Sequence, residues 1–187
     1  MPLTKLDDTA ALIVIDLQKG LAGLPAVHPV NEIVDRSAQL ARAFRKRDLP
    51  VVLVNVSGAA PGRTDPGMPK FSPPAGWTEL VPELDQQPGD HIVTKQRWGA
   101  FHGTDLNDLL RQRAVTQVVL TGVATSIGVE STARSAYDLG YHVTLVVDAM
   151  TDRDARAHQH SVEKIFPRLG ETATTSDVLK LLKPHAD

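Results

Sequence analysis

The chain has 187 residues, of which 42% are hydrophobic and 22% charged, with a formal net charge of −2. These values are typical of one soluble globular domain, here predicted to span residues 1–187, and the small net charge argues against an obligate nucleic-acid binder. No apolar run approaches the ~20 residues needed to cross a bilayer, and the N-terminus lacks a secretion signal. We therefore expect a cytoplasmic protein that binds neither membranes nor nucleic acid. The chain has no cysteine, which excludes disulfides, thiolate metal sites and thiol nucleophiles.

Short apolar runs alternate with helical patterns along the chain. Strands are predicted at residues 10–16, 51–56, 91–94, 118–123, 142–148 and 171–173, and helices at 29–48, 104–113, 127–139, 155–166 and 176–182. Apolar runs bounded by turn residues are typical of strands buried on both faces of a parallel sheet. The alternation predicts an α/β, doubly wound, Rossmann-like fold with a six-stranded parallel sheet in the order 3-2-1-4-5-6 and helices on both faces. In that order the ends of strands one and four meet at the switch point, where such folds bind ligands.

Two charged residues lie at predicted strand ends. Asp16 ends the first strand, and an aspartate in this position is commonly a turn or cap residue. Alternatively, it is a carboxylate at the ligand-binding edge, with apolar neighbours that raise its pKa. Lys95 directly follows the third strand, where a solvated edge residue is the ordinary interpretation. The two side chains can meet if their strands lie close together in the sheet.

The segment from residue 57 to residue 90 is predicted to be a long proline-rich loop. It contains seven of the thirteen prolines, and long loops inside compact domains tend to be lids, binding loops or contact arms. Disorder is the alternative, with Trp77, Leu80 and Val81 as candidate anchors against it. Arg63 lies in this loop and is a candidate ligand for a substrate carboxylate, although an ordinary surface arginine is the simpler interpretation.

The central stretch carries a family resemblance. Residues 122–134, GVATSIGVESTAR, strongly resemble the central motif of isochorismatase-like hydrolases, also called the cysteine hydrolase family, and the resemblance extends from Ala10 to about Leu182. Residues 16–18, Asp-Leu-Gln, resemble the first-strand motif of the family, whose aspartate is catalytic. Lys95 matches the catalytic lysine of the family, and the residues that follow it also match the family's pattern. Most members have cysteine where this chain has Gly128, whereas true isochorismatases and some relatives have glycine there.

The resemblance implies which residues form the site. Asp16 and Lys95 are the expected catalytic pair, with Gly128 at the position of the missing nucleophile. The candidate substrate-binding residues are Gln18, Arg63, Arg97, Trp98, Phe101, Ala124, Thr125 and Ile127. For the two aromatic residues in that set, core packing or a subunit contact is an alternative to walling an apolar pocket.

The missing cysteine changes the expected chemistry. Ser126 and Ser131 are poor replacements, because a nucleophile needs correct placement and an adjacent base. Resemblance to isochorismatases implies vinyl-ether hydrolysis instead, in which protonated Asp16 gives its proton to the enolpyruvyl methylene carbon and water adds to the resulting cation. Lys95 beside Asp16 favours the ionised carboxylate and burial favours the protonated one. Two alternatives stay open: hydrolysis of an amide or ester by Asp16-activated water, and an inactive binding member of the family.

No cofactor is expected. Metal-binding relatives such as nicotinamidases use an extra aspartate and histidines close behind the second strand, where this chain offers Asp65 but no histidine, so we predict no metal site. The pair His158 and His160 is expected at the surface. Family members are commonly dimers or tetramers, which implies a homo-oligomer that acts on a small-molecule substrate.

Overall fold

The strands form one parallel sheet. A computed structural model describes residues 3–65, 67 and 72–182 of the chain. The strands in this part are β1 (Ala10–Ile15), β2 (Val51–Val56), β3 (His91–Lys95), β4 (Gln117–Val123), β5 (His142–Thr151) and β6 (Glu171–Ala173). All neighbouring pairs are parallel, in the order β3-β2-β1-β4-β5-β6. The predicted fold and strand order are confirmed.

Seven α-helices of the described chain accompany the sheet, six of them between strands and the last after β6. They are α1 (Lys19–Ala22), α2 (Val30–Arg45), α3 (Leu106–Gln112), α4 (Glu130–Asp138), α5 (Ala155–His160), α6 (Phe166–Leu169) and α7 (Thr175–Leu181). A π-helical turn, Thr125–Val129, leads into α4, and a second one, Ser161–Ile165, joins α5 to α6. The sequence did not predict α1, since four residues are too few to show a helical period. In the described residues, no helix is long and apolar enough to span a bilayer.

Two hydrophobic clusters lie on opposite faces of the sheet. All six residues of β1 are buried, and successive side chains of a strand point to opposite faces. Leu12 and Val14 therefore pack in one cluster with Phe44 of α2, whereas Ile13 and Ile15 pack in the other. The second cluster also contains residues of α3, α4 and α6. The sheet is covered by helices on both sides, and its free carboxyl edge is left for a site.

Strands β1 and β4 approach closely at this edge. The peptide bond Val123–Ala124, at the end of β4, is cis. Gly122 has a φ of 116°, and a Cβ there would lie 2.0 Å from the backbone oxygen of Ile15. The backbones of β1 and β4 are in direct contact where the motif begins, and only glycine fits such a position.

The second half of the predicted loop is anchored over the end of β1. The Trp77 oxygen accepts a hydrogen bond from the Gly20 N–H (2.9 Å), and the Leu17 oxygen accepts one from the Val81 N–H (3.1 Å). The indole of Trp77 lies against Gly20, where a Cβ would be 2.1 Å from the ring. Leu80 forms an isolated bridge with Gln18. The three predicted anchors are therefore confirmed, whereas Pro66 and residues 68–71 of this loop lie outside the described residues.

Candidate active site

Asp16 and Lys95 form a buried ion pair at the carboxyl edge of the sheet. Lys95 is the last residue of β3 and Asp16 directly follows β1, so β2 lies between them. Neighbouring strands are ~4.8 Å apart, and the long lysine side chain covers the distance. Its Nζ lies 2.7 Å from Asp16 Oδ2, with 2% of the lysine side chain and 6% of the aspartate side chain exposed. The predicted meeting of the two side chains is confirmed.

The backbone turns sharply at Asp16. Its φ is 54°, in the left-handed region that aspartate tolerates better than most residues. Its N–H still donates to the Val54 oxygen (2.9 Å), while its own oxygen accepts from the Gln18 N–H (2.9 Å). The turn ends β1 and directs the carboxyl group along the edge of the sheet toward Lys95.

Burial controls the ionisation of this pair. It raises the pKa of Asp16 from its ordinary value of 3.8 to about 6, and the charge and hydrogen bond of Lys95 oppose the rise without cancelling it. Lys95 Nζ also donates to the Arg97 oxygen (3.1 Å), so its charge is shared between two acceptors. Asp16 Oδ1 is buried with no hydrogen-bond donor among the described residues. One carboxyl oxygen is thus held by the lysine, and the other is left to carry a proton.

Gly128 brings the motif turn against this carboxyl group. A Cβ at this position would lie 3.2 Å from Asp16 Oδ2, 3.0 Å from the Cγ2 of Ile15 and 3.2 Å from the Val123 oxygen. These distances are short for a methyl carbon, so the neighbours have closed around a glycine. A nucleophilic side chain at residue 128 would start from a carbon in direct contact with the aspartate.

Asp152 fixes the turn from the side of β5. This buried residue directly follows the strand. Its Oδ2 accepts hydrogen bonds from the N–H (2.7 Å) and the hydroxyl (2.8 Å) of Ser126, and its Oδ1 accepts one from the Arg153 N–H (2.7 Å). The hydroxyl of Ser126 is therefore held by a buried carboxylate, which fixes the turn. The predicted strand ends at Asp148 and not at Thr151, so the sequence pattern does not bring Asp152 to the site. The available signal was a second aspartate near a strand end.

His158 makes a second contact with the same turn. Its Nδ1 lies 2.9 Å from the hydroxyl of Thr125, and its ring packs edge-on against His28 with centroids 5.1 Å apart. Burial, and to a lesser extent the charge of His28, lowers the pKa of His158. His160 is exposed, as predicted, and His158 is only partly exposed. Thr125, a candidate substrate ligand, is fully buried and directs its hydroxyl at this histidine.

Gln18 joins three segments beneath the site. Its Nε2 donates to the backbone oxygens of Val56 and Trp77 (both 3.2 Å), and its Oε1 accepts from the Val56 N–H (2.7 Å). The residue is fully buried. The side-chain amide of this candidate substrate ligand is occupied by backbone groups, so it holds the end of β1 to β2 and to the anchored loop.

The other candidate substrate ligands differ in exposure. Phe101 is 8% exposed and stacks on Tyr141 with centroids 6.0 Å apart, which favours the core-packing alternative. Trp98 and Ile127 are 66% and 40% exposed. Arg63 is exposed and has no hydrogen bond or ion pair with the described residues.

Two of the candidate substrate ligands line cavities. Ala124 lines a small apolar cavity of about 70 Å³, together with Leu21 and Val30. Arg97 lines a polar cavity of about 300 Å³ near the end of β3. In the described parts of the chain, no three His, Cys, Asp or Glu side chains are grouped so that they could hold a metal ion.

Comparison with known proteins identifies the family. The isochorismatase domain pattern matches residues 10–177. YwoC, an uncharacterized isochorismatase family protein of Bacillus subtilis, is 41% identical over 180 residues, which cover 92% of this chain and 94% of that protein. The structure of an isochorismatase family protein from Burkholderia thailandensis matches with a TM-score of 0.90 and 44% identity, over 96% of this chain and 98% of that chain. Ureidoacrylate amidohydrolase RutB of Variovorax paradoxus is 36% identical over 117 residues, 62% of this chain and 46% of that protein. The chain belongs to the isochorismatase family and is a hydrolase of that family.

Proposed function

We propose that this hydrolase cleaves a small enol ether of the isochorismate type by proton donation from Asp16 and addition of water, with no covalent intermediate. The observation that carries the proposal is the buried Asp16–Lys95 pair, whose Oδ2 to Nζ distance is 2.7 Å, packed against Gly128. The pair supplies an acid and a cation, and residue 128 supplies no attacking atom. Enol-ether hydrolysis needs an acid and a cation but no attacking atom from the protein.

The first step requires a protonated Asp16. A pKa of about 6 keeps a useful fraction of the carboxyl group protonated near neutral pH, as efficient general acids require. Oδ2 accepts from Lys95, so the proton is carried by Oδ1. It passes to the terminal methylene carbon of the enolpyruvyl group, the carbon–carbon π electrons form the new C–H bond, and an oxocarbenium ion results.

Lys95 stabilises the product of that step. Proton transfer leaves Asp16 as a carboxylate, and the ammonium group at 2.7 Å stabilises this charge in a buried setting where electrostatic interactions are strong. Water then adds to the cationic carbon and releases a proton, which restores the acid. The hemiketal collapses to pyruvate and an alcohol, so the net reaction consumes one water molecule. In this scheme the lysine positions and stabilises the acid without being deprotonated.

The test is to incubate the purified protein with isochorismate and to measure pyruvate with lactate dehydrogenase. Asp16→Ala is the inactive control, and Asp138→Asn, at an exposed position of α4, is the matched control for loss of one carboxylate. The proposal expects pyruvate from the wild type and from the Asp138 variant but none from the Asp16 variant. Pyruvate formation that survives the loss of Asp16 would refute the mechanism.

Hydrolysis of a small amide or ester by Asp16-activated water is the second candidate. Lys95, whose charge lowers the pKa of Asp16, favours the carboxylate form that a base requires, and one similar protein is named as a ureidoacrylate amidohydrolase. Ammonia release from a panel of carboxamides, with no pyruvate from isochorismate, would favour it. The two candidates also differ in pH dependence: an acid loses activity as the pH rises through about 6, whereas a base gains it. No product from either assay would favour an inactive binding member.

A further inference from the structure

The hydroxyl of Thr132 joins the motif turn to the segment that follows Lys95. Thr132 lies in α4 and is fully buried. Its Oγ1 donates to the backbone oxygen of Gly128 (2.7 Å) and accepts from the backbone N–H of Ala100 (3.1 Å). The first bond ends on the turn that lies against Asp16, and the second ends on the irregular segment after β3. One side chain thus connects the two backbone segments on either side of the catalytic pair.

The first of these bonds is ordinary, whereas the second is not. A threonine hydroxyl inside a helix commonly donates to the oxygen four residues earlier, as that of Thr132 does to Gly128. A bond from the N–H of another segment is not part of that pattern. Ala100 is also fully buried, so its N–H would lose its acceptor in a place without water, which is costly. The hydroxyl therefore fixes where this segment lies against α4.

The same segment supplies a contact to the catalytic lysine. Lys95 Nζ donates to the backbone oxygen of Arg97 (3.1 Å) as well as to Asp16 Oδ2 (2.7 Å). Two residues further on, Gly99 packs directly on α4, where a Cβ would lie 3.3 Å from the backbone oxygen of Ser131. The position of the Arg97 oxygen therefore depends on how the segment is held to the helix. The sharing of the lysine charge between two acceptors depends on it as well.

We propose that Thr132 is a positioning residue of the catalytic site, whose hydroxyl holds the motif turn and the segment after Lys95 together around the Asp16 carboxyl group. It acts through these two backbone segments and not on the substrate. Without the hydroxyl, water gains access to the carboxyl group and the lysine loses its second acceptor. Both changes favour the carboxylate form.

The expected consequence is a lower pKa of Asp16. Burial raises this pKa, and among the described residues Lys95 is the charged group that opposes the rise. Loss of the Thr132 hydroxyl weakens the first influence and strengthens the second. The expected effect on turnover rests on the proposed function, whereas the ionisation of Asp16 can be measured without a substrate.

The test is a ¹³C NMR titration of the Asp16 carboxyl carbon, assigned with Asp16→Asn, in Thr132→Val, which keeps the shape of the side chain and removes the hydroxyl group. Thr132→Ser keeps the hydroxyl. Thr144→Val is the matched control, because Thr144 is also fully buried, lies near the amino end of β5, and accepts a hydrogen bond from Gln117 Nε2 (2.9 Å). We expect the midpoint to fall in Thr132→Val and to keep its wild-type value in the other two. At pH 7 kcat should fall with it by roughly 3- to 10-fold, the ratio that corresponds to one lost hydrogen bond, with KM little changed.

Two results would overturn the proposal: a wild-type midpoint in Thr132→Val, or an equal fall in Thr144→Val, which would mean a general loosening of the fold. If Thr132→Val does not fold, Gly99→Ala carries the test, because its added Cβ pushes the same segment away from α4 while the hydroxyl is kept. Its midpoint should also fall, and an unchanged one would refute the role of Thr132. A lowered midpoint in Thr132→Val, in a protein that forms no pyruvate from isochorismate, would support the positioning role while rejecting the proposed substrate.

Discussion

The two sides of the candidate site satisfy their polar groups very differently. On the side of β1 and β3, Asp16 and Lys95 share one short hydrogen bond, and a buried carboxyl oxygen has no donor among the described residues. On the side of β4 and β5, Asp152 accepts hydrogen bonds from the Ser126 backbone and hydroxyl with one oxygen and from backbone N–H groups with the other. Both carboxylates are buried, and burial raises the pKa of Asp16. We infer that the first carboxylate carries out chemistry and that the second holds the turn.

The difference follows from what surrounds each carboxylate. Hydrogen bonds from backbone N–H groups stabilise a carboxylate in its charged form and replace the water that burial removes. Asp152 receives several such bonds, whereas the Asp16 carboxyl receives one bond, from a lysine that it shares with the Arg97 oxygen. A poorly satisfied buried carboxyl group takes up a proton more readily. Substitutions on the two sides of the site should therefore have unequal effects on kcat and on folding stability.

The largest expected effect is that of Asp16→Asn on activity. The amide keeps the shape of the side chain but cannot donate the proton, and general acid catalysis typically contributes 10²- to 10⁴-fold. We expect kcat for pyruvate formation to fall by about that factor, while Asp138→Asn stays within about twofold of wild type. An Asp16→Asn enzyme with wild-type kcat would remove the distinction between the two sides.

The pH dependence of stability should also come from the Asp16 side. Its pKa is raised from 3.8 to about 6 in the folded state, so the folded chain holds a proton that the unfolded chain releases between these values. The stabilisation is fully present below about pH 4 and is lost as the pH rises through about 6, by up to about 3 kcal/mol. Urea unfolding gives the free energy of unfolding of wild type and of Asp16→Asn at each pH from 4 to 7. The difference between the two free energies should change across this range by the amount that Asp16 contributes. A difference that is constant with pH would contradict the raised pKa.

A smaller effect is expected from Asp152→Asn. An amide offers one acceptor oxygen, whereas the carboxylate receives short N–H bonds on both oxygens, so one N–H must face the new NH₂ group. We expect the free energy of unfolding to fall by about 1–3 kcal/mol, with kcat reduced less than in Asp16→Asn. Urea denaturation and the pyruvate assay measure the two quantities. A larger loss of kcat than that of Asp16→Asn would mean that Asp152 takes part in the chemistry.

The smallest effect is expected from Thr125→Val. The substitution keeps the buried volume and removes the hydroxyl group that contacts His158 Nδ1 at 2.9 Å. The expected cost is about 1 kcal/mol of folding stability, measured by urea unfolding, with little change in kcat. A loss of kcat beyond about tenfold without a loss of stability would instead give Thr125 a direct role with the substrate.

The sequence predicted the sheet and the central pair because both depend on strong, regular signals. Buried parallel strands are continuous apolar runs, and the handedness of crossover connections restricts their order. Once that order is known, Asp16 and Lys95 must lie at the same edge of the sheet. The same reasoning predicted the close approach of the motif turn, where Gly122 and Gly128 allow backbone contact.

The remaining parts of the site depend on tertiary contacts that have no local signal. Strand β5 runs to Thr151, beyond its predicted end at Asp148, and its pairing with β4 shifts register between Leu120 and Gly122. That extension is what places Asp152 under the turn. Whether Phe101 walls a pocket or packs in the core depends on Tyr141, which is forty residues away along the chain. Sequence patterns could offer both alternatives but could not choose between them.

The ionisation of Asp16 can be measured directly. In protein labelled with ¹³C at the aspartate carboxyl carbons, the Asp16 signal is assigned by its loss in Asp16→Asn and followed by NMR from pH 3 to 8. A midpoint near pH 6, matched by a fall in kcat above that pH, is the result expected for a buried acid held by Lys95. A midpoint at or below the ordinary value of 3.8, with activity rising as the carboxylate forms, would contradict it.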